Sequence, residues 1–460
     1  MRGTEKTQIP FLKKCVAAFR SLPRMQRYVL AFVAADILFL VWYLIYTAAF
    51  LEGEAHVPHF LLGAVFFQDH SDVFMDFFNV NVFVEDMNPY FVAGDPGGGS
   101  SYPPLVLLLA KVFRLIGGPA ESALALRETP RGILSIVLYF TVLTICGALC
   151  LLKFAKKKGL PLPLAAALGL CVLLTAPMVY LIERANYLLF ALLFVLVFFL
   201  YEKDESAFKR ELSYLSLAAA VGFKLYPAVF ALLLLKEKRF FAFLSVALYS
   251  VALTVLPFCF FEGGFGNIAY FLENLKKFSE GPYVFEYEGA PCTNAFSYGL
   301  SAAMFVRVLF CLFGGFSYLA LPAYAHAAAT AFAVITGAAL IAGIFLAKDR
   351  FSAVFLAAAA TFLLPDPSYC YTASVLIVPL FFLFSEGEGG KFQIAAFVLL
   401  LFSFVIADFG YLLPRYSHGL QYGYTVLNFL QCLSCIALSW MCFVRGALSR
   451  VRKNCAYAKN

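Results

Sequence analysis

Six carboxylates fall between Phe67 and Pro104, in FQDHSDVFMDFFNVNVFVEDMNPYFVAGDPGGGSSYPP, with no Lys or Arg among them. They are Asp69, Asp72, Asp76, Glu85, Asp86 and Asp95, interleaved with Phe and Tyr. A positioned carboxylate can take the proton of a hydroxyl nucleophile as the new bond forms. Two cations lie within or beside apolar runs further along, Arg184 in Glu183-Arg184-Ala185-Asn186 and Lys224 in Lys224-Leu225-Tyr226-Pro227. An ionisable group at membrane depth costs a few kcal/mol on insertion scales, so such a cation calls for an anion or a wet hollow. A carboxylate for the hydroxyl and cations for a phosphate suit one reaction class, the movement of a sugar from a lipid phosphate to an acceptor hydroxyl. The reacting carbon becomes oxocarbenium-like while its phosphate gathers charge that Lys or Arg stabilises. A lipid phosphate already leaves well, so neither a metal nor a cofactor is required. His56 and His59 have no third ligand in view.

The elements that must position these groups are membrane helices. Of 460 residues, 62% are hydrophobic and 14% charged, against roughly 25% charged in soluble domains. The formal net charge is +7, but the cations cluster in short loops and at both ends, where they set orientation. Nucleic acid is therefore not an expected partner. The 12 cysteines lie mostly in apolar runs, where Cys behaves as a small hydrophobe. Cys432 and Cys435, the one CxxC pair, lie in such a run, and no zinc or disulfide spacing is visible.

Keeping Lys and Arg on the cytoplasmic side gives a topology. Residues 1–27 are a basic cytoplasmic or interfacial segment, with 11–27 an amphipathic anchor. A single transmembrane domain spans 28–443, and 444–460 is a basic cytoplasmic tail. The run from Tyr28 is too long for a signal-peptide core and reads as an uncleaved first span. Crossings are expected near 28–50, 131–152, 160–181, 187–201, 239–258, 328–347, 351–364, 371–385, 391–407 and 424–443. Outer loops cover 51–130 and 262–327. Segments 104–116 and 298–316 carry Lys111, Arg114 and Arg307 and are expected to lie on the outer face, since a crossing would strand lysines outside. Segment 212–235 is interrupted at Gly222 and Pro227; a single crossing would put Lys236, Lys238 and Arg239 on the wrong side. It is therefore expected to be a hairpin of two half-length helices with Lys224 at its tip, facing a wet cavity. The fold class is thus an all-α integral membrane bundle of about ten crossings.

Several short motifs occur in a fixed order: Met75-Asp76-Phe77, Asn88-Pro89-Tyr90, Tyr102-Pro103-Pro104-Leu105, Glu183-Arg184-Ala185-Asn186, Lys224-Leu225-Tyr226-Pro227, Asn294-Ala295-Phe296-Ser297 and Pro365-Asp366-Pro367-Ser368. In this order, over roughly residues 70–385, the chain resembles glycosyltransferase family 87, the polyprenyl-phosphate-mannose-dependent transferases. The resemblance implies the C-type polytopic glycosyltransferase fold and a first-loop Asp as general base, for which Asp76 is the matching position. It implies substrate contacts from Tyr102, Glu183, Arg184, Asn186, Lys224, Tyr226, Asn294, Asp366 and Tyr369. It further implies a polyprenyl-phosphate sugar donor and a glycolipid or glycan acceptor. The charge bias of the loops places both termini in the cytoplasm and the acidic loop, with the active site, on the outer face of the plasma membrane. The chain departs from the family in two places. Ala185 stands where the family usually has Gly, and Tyr369-Cys370-Tyr371 replaces a His-bearing segment.

Other readings of the same residues stay open at this level. Asp72 or Asp69 could serve in place of Asp76. Glu183 and Arg184 could pair with each other, Asn186 could cap a helix, Tyr102 could be an interfacial aromatic, and Arg307 and Arg415 could hold a phosphate or headgroup. The tract Gly94–Ser101 is expected to be a flexible loop; it lacks the Lys-Ser/Thr of a nucleotide-binding loop. A lipid-linked-saccharide flippase or transporter would also need cations in a wet cavity, although no inverted repeat is evident. A non-catalytic envelope-assembly scaffold would leave Lys224 without a polar role.

Overall fold

Hydrocarbon offers no water to a backbone N–H or C=O, so apolar runs satisfy these groups within helices. The computed structural model describes residues 5–50, 73–85, 87–93, 98–280, 284–287, 290–293, 299–386, 390–404, 416–417 and 420–457. The chain opens with α1 (Glu5–Ser21) and α2 (Arg24–Phe50), followed by α3 (Met75–Phe83), α4 (Pro104–Gly117), α5 (Ala123–Glu128) and α6 (Pro130–Lys158). Its middle holds α7 (Leu162–Leu174), α8 (Ala176–Arg184), α9 (Leu188–Tyr201), α10 (Ala207–Phe223), α11 (Leu232–Lys236) and α12 (Phe240–Val255). After α13 (Asn267–Glu280) come β1 (Val284–Tyr287) and β2 (Ala290–Thr293), then α14 (Ala302–Gly314), α15 (Ala323–Leu346), α16 (Arg350–Leu363), α17 (Ile377–Glu386) and α18 (Lys391–Phe404). The short β3 (Tyr416–Ser417) and β4 (Leu420–Gln421) precede α19 (Tyr422–Tyr457). The four strands form a small sheet in the order β1-β2-β4-β3, with only the β2–β4 pair parallel. The helical expectation holds apart from this sheet.

Among the described residues, five helical stretches are long and apolar enough to cross a membrane: Arg24–Trp42, Pro130–Lys158, Phe240–Phe260, Ala323–Leu346 and Asn428–Arg452. Each coincides with an expected crossing. A sixth span arises if α7 and α8, bent by 67°, are counted together. That bend was not anticipated, and its cause is local: Pro177 lacks the N–H that would continue α7 and its ring clashes with a carbonyl one turn back. Thr175 accordingly takes an extended conformation between the two helices. Most of the other apolar runs form helices of 10–17 residues. The expected ten crossings therefore do not each correspond to a full-length helix. Helices α4 and α14, expected not to cross, have 14 and 13 residues.

The interruption at 224–227 turns the chain back on itself as expected. Helix α10 leads away from Glu202 and Lys203, and after Lys224 a 3-10 turn over Tyr226–Ala231 and α11 return to Glu237. The return is fixed by ion pairs at the open end, Lys203 with Glu237 at 2.8 Å and Arg239 with Glu202 at 3.2 Å. Lys236 donates to the carbonyls of Ile344 (2.9 Å) and Ala347 (2.7 Å), where α15 ends. Every residue from Phe351 to Leu363 of α16 is buried, and its run of alanines lets neighbouring backbones approach closely. Packing against this central helix holds the hairpin rigid and so fixes the depth of Lys224.

Candidate active site

Asp76 lies in the first turn of α3 rather than in an irregular loop. The sequence Asn79-Val80-Asn81-Val82 alternates like a strand, but Phe77, Phe78, Val80 and Asn81 are all buried. Phe77 packs edge-on against Tyr139 and Phe113 and stacks with Tyr187. Aromatic burial of this kind outweighs a weak local preference. Where α3 begins, the Phe74 amide donates to the Glu183 carbonyl at 2.7 Å, which ties the helix to the end of α8.

The same end of α8 supplies the partners of Asp76. Arg184 donates to Asp76 Oδ1 from Nη2 at 2.6 Å and from Nε at 3.1 Å. Asn186 Nδ2 donates to the other oxygen at 2.6 Å. Ala185 makes this convergence possible by adopting a left-handed conformation, φ 45° and ψ 41°, which closes α8 and swings Asn186 round to the Arg184 side. Such a conformation favours glycine, the residue the family resemblance leads one to expect here. Because Ala185 is fully buried, Ala185→Val should lose roughly 2 kcal/mol or more through backbone strain and overpacking, seen as a lower unfolding temperature. Ala185→Gly should stay within about 1 kcal/mol of the parent.

Asn186 combines two roles. Its Oδ1 accepts from the Leu188 amide, the first of α9, at 2.9 Å, while its Nδ2 faces Asp76. The hydroxyls of Tyr102 and Tyr371 lie 3.3 and 3.4 Å from that same nitrogen. Burial, with the Asp76 charge adding to it, pushes the Tyr102 phenol well above its ordinary value, so it remains a neutral hydroxyl. Lys224 is half-buried at the hairpin tip, its ammonium 4.3 Å from the centroid of the Tyr102 ring. Tyr226 opens the 3-10 turn that follows Lys224 and is half-buried there. Tyr369 and Tyr371 stack at 5.6 Å with rings 7° from parallel. One carboxylate, two cations, an amide and several tyrosine rings therefore meet from α3, α8, the hairpin and the segment after α16.

The loop carrying Tyr102 is tied down at its described end, contrary to the expected flexibility of Gly94–Ser101; residues 94–97 lie outside the described residues. The Ser100 amide donates to the Pro89 carbonyl at 2.8 Å, and Tyr90 donates its hydroxyl to the Tyr102 carbonyl at 3.1 Å. Asn274, buried on α13, donates to the carbonyls of Tyr90 and Ser100, each at 3.0 Å. Gly99 is required by this closeness, since a Cβ there would lie 2.3 Å from the Tyr90 oxygen. The Asn-Pro-Tyr and Tyr-Pro-Pro motifs are thus two halves of one brace.

Two expected substrate contacts have partners within the protein. Asp366 is bound by Arg307 at 2.8 Å and by the Ser301 hydroxyl at 2.9 Å. Arg307, expected as a phosphate or headgroup contact, is the cation in that pair. Glu183 contributes its backbone carbonyl to α3, and Arg184 pairs with Asp76. Asn294, together with Asp69, Asp72, His56, His59 and Arg415, lies outside the described residues. Sequence reading did not single out Asn274 or Tyr139, whose hydroxyl donates to the Asn186 carbonyl at 2.8 Å. Their only signal was a polar group within an otherwise apolar helix face.

The family model for glycosyltransferase family 87 matches residues 101–365, more than half of the chain. The match takes in Tyr102, Glu183, Arg184, Asn186, Lys224 and Tyr226, and begins after Asp76. No curated protein matches the chain.

Proposed function

We propose a donor, a membrane face and a mechanism for this chain, which belongs to glycosyltransferase family 87 and is a membrane glycosyltransferase acting with a sugar donor and an acceptor. The donor is a polyprenyl-phosphate-linked hexose, mannose before others, and the acceptor is a glycolipid or glycan hydroxyl. The site faces the outer side of the plasma membrane, with both termini cytoplasmic, as the charge bias of the loops favours. The fold is the C-type polytopic glycosyltransferase fold.

Asp76 is the general base. Arg184 and Asn186 use three of its roughly four lone-pair directions, and the remaining direction receives the acceptor proton. As that proton moves, the acceptor oxygen bonds to the anomeric carbon from the face opposite the phosphate. The carbon–phosphate-oxygen bond breaks, its electron pair stays on the lipid phosphate, and configuration inverts. Lys224 and Arg184 hold the phosphate as its charge grows. Tyr102 and the stacked Tyr369 and Tyr371 offer the aromatic faces and hydroxyls that a sugar ring requires.

The observation carrying this reading is that an aspartate and a hairpin-tip lysine, distant in sequence, share one tyrosine-lined site with Arg184. The test is incubation of the purified chain with polyprenyl-phosphate-mannose and a panel of glycolipid acceptors. A new glycosidic bond of inverted configuration is expected. Movement of the lipid-linked sugar across a vesicle bilayer with no new bond would overturn the reading in favour of a transporter.

A further inference from the structure

Every residue of α1 from Lys13 to Ser21 is exposed, so the bundle gives this part of the helix no packing. A helix of 17 residues is barely stable in water without tertiary support. Pro10, in its interior, has no N–H to give and weakens it by roughly 3 kcal/mol more. A helical α1 therefore calls for a surface outside this chain. Its exposed residues are sorted by face. Cys15, Val16 and Phe19, three or four apart, share one side. Lys13 and Arg20, seven apart, lie on one flank of that side, and Lys14 lies on the other. Among the described residues none of these three cations makes a side-chain ion pair or hydrogen bond. Only Leu22 and Pro23 separate α1 from α2, whose stretch Arg24–Trp42 is long and apolar enough to cross a membrane. The foot of α2 is held without α1, by the contact of Arg24 with Gln393 of α18.

We propose that α1 lies along the bilayer surface at which α2 enters, with Cys15, Val16 and Phe19 at the boundary of headgroups and acyl chains and Lys13, Lys14 and Arg20 on anionic headgroups. Continuity and charge select this occupant. The link from Ser21 to Arg24 reaches at most about 11 Å, so the end of α1 stays beside the interface that α2 crosses. An apolar face with basic flanks is the pattern of a helix lying in that interface. Lysine and arginine stems cover apolar surface while their charges reach the headgroups, and a neutral surface leaves all three charges unanswered. Membrane contact by α1 does not depend on the transferase reading.

The test uses the full chain in nanodiscs of phosphatidylcholine alone and of phosphatidylcholine with phosphatidylglycerol in equal parts, read by amide hydrogen exchange. Amides of α1 should exchange about 100-fold more slowly in the phosphatidylglycerol discs, the effect of three cations near an anionic surface. Added salt should erode that difference. Lys13→Gln, Lys14→Gln and Arg20→Gln together should remove it, while glutamine keeps the helix propensity and the bundle's unfolding temperature holds. Val16→Ser with Phe19→Ser should speed exchange in both discs; slow exchange retained there would overturn the placing of that face in the bilayer. Equal exchange in the two discs, or an undiminished difference in the triple variant, would overturn the proposal. Rapid exchange in both would overturn it in favour of a protein partner for α1.

Discussion

Asp76→Asn should lower sugar transfer by about 10²–10⁴-fold, the usual contribution of a general base, while the protein still folds. The amide keeps the shape of the side chain but cannot accept a proton at neutral pH. It also presents its N–H₂ or its lone oxygen to Arg184, whose guanidinium loses its counter-charge. The two side chains are only 14% and 17% exposed, so breaking the pair should cost about 2 kcal/mol, below the 3–5 kcal/mol of a fully buried ion pair. Asp76→Asn combined with Arg184→Gln removes both charges and should recover most of that stability. Because Arg184 also holds the phosphate, the double variant's lost transfer reports on both groups, and the comparison that keeps the ion pair is Asp76→Glu. Asp76→Glu keeps charge and proton affinity but moves the carboxylate by one methylene, and a misplacement of that size should cost about 10²-fold. Steady-state transfer rates and unfolding temperatures for the four proteins decide the matter. Full turnover in Asp76→Asn would move the role to Asp72 or Asp69.

Much of this site could be read from sequence where a physical cost forced the reading. The hairpin around Lys224 follows from refusing to place Lys236, Lys238 and Arg239 on the far side of a membrane, and the pairing of residues 202–203 with 237–239 bears it out. Arg184 and Asn186 stood out because polar groups between two apolar runs require a reason. Hidden from sequence were matters that tertiary packing decides. The strand-like alternation after Asp76 concealed α3, whose form comes from aromatic partners on α4, α6 and the α8–α9 turn. Pro177 was visible, yet the run around it had the length of one ordinary span, so the 67° bend passed unnoticed. Asn274 looked like any polar residue of an amphipathic helix until the loop it clamps came beside it. The Asp366 motif gave no sign that Arg307 would be its partner, because 59 positions separate them in the chain.

Lys224→Met should separate activity from stability more sharply than any other substitution. Among the described residues the Lys224 ammonium forms no ion pair or hydrogen bond; its close contact is the Tyr102 ring. The nearby Asp76 carboxylate is taken by Arg184 and Asn186. A cation without a dedicated counter-ion, set in a half-buried position, weakens the fold, whereas methionine has similar length and no charge. Removing the charge relieves desolvation and forfeits a cation–π contact of about 0.5–2 kcal/mol, so the unfolding temperature should hold steady or rise. Transfer should fall by about 10²–10³-fold, the usual loss when one preorganised donor to a developing anion is removed. If the lysine serves the leaving phosphate, kcat carries most of that loss and the donor KM changes less. Lys224→Arg keeps the charge but replaces a compact ammonium with a planar fork, and should recover part of the rate. A scaffold has no reason to keep an unpaired cation at the tip of a buried hairpin, so stability retained together with transfer lost identifies a residue held for chemistry. Unchanged transfer in Lys224→Met would remove the lysine from the mechanism and leave the phosphate to Arg184 alone.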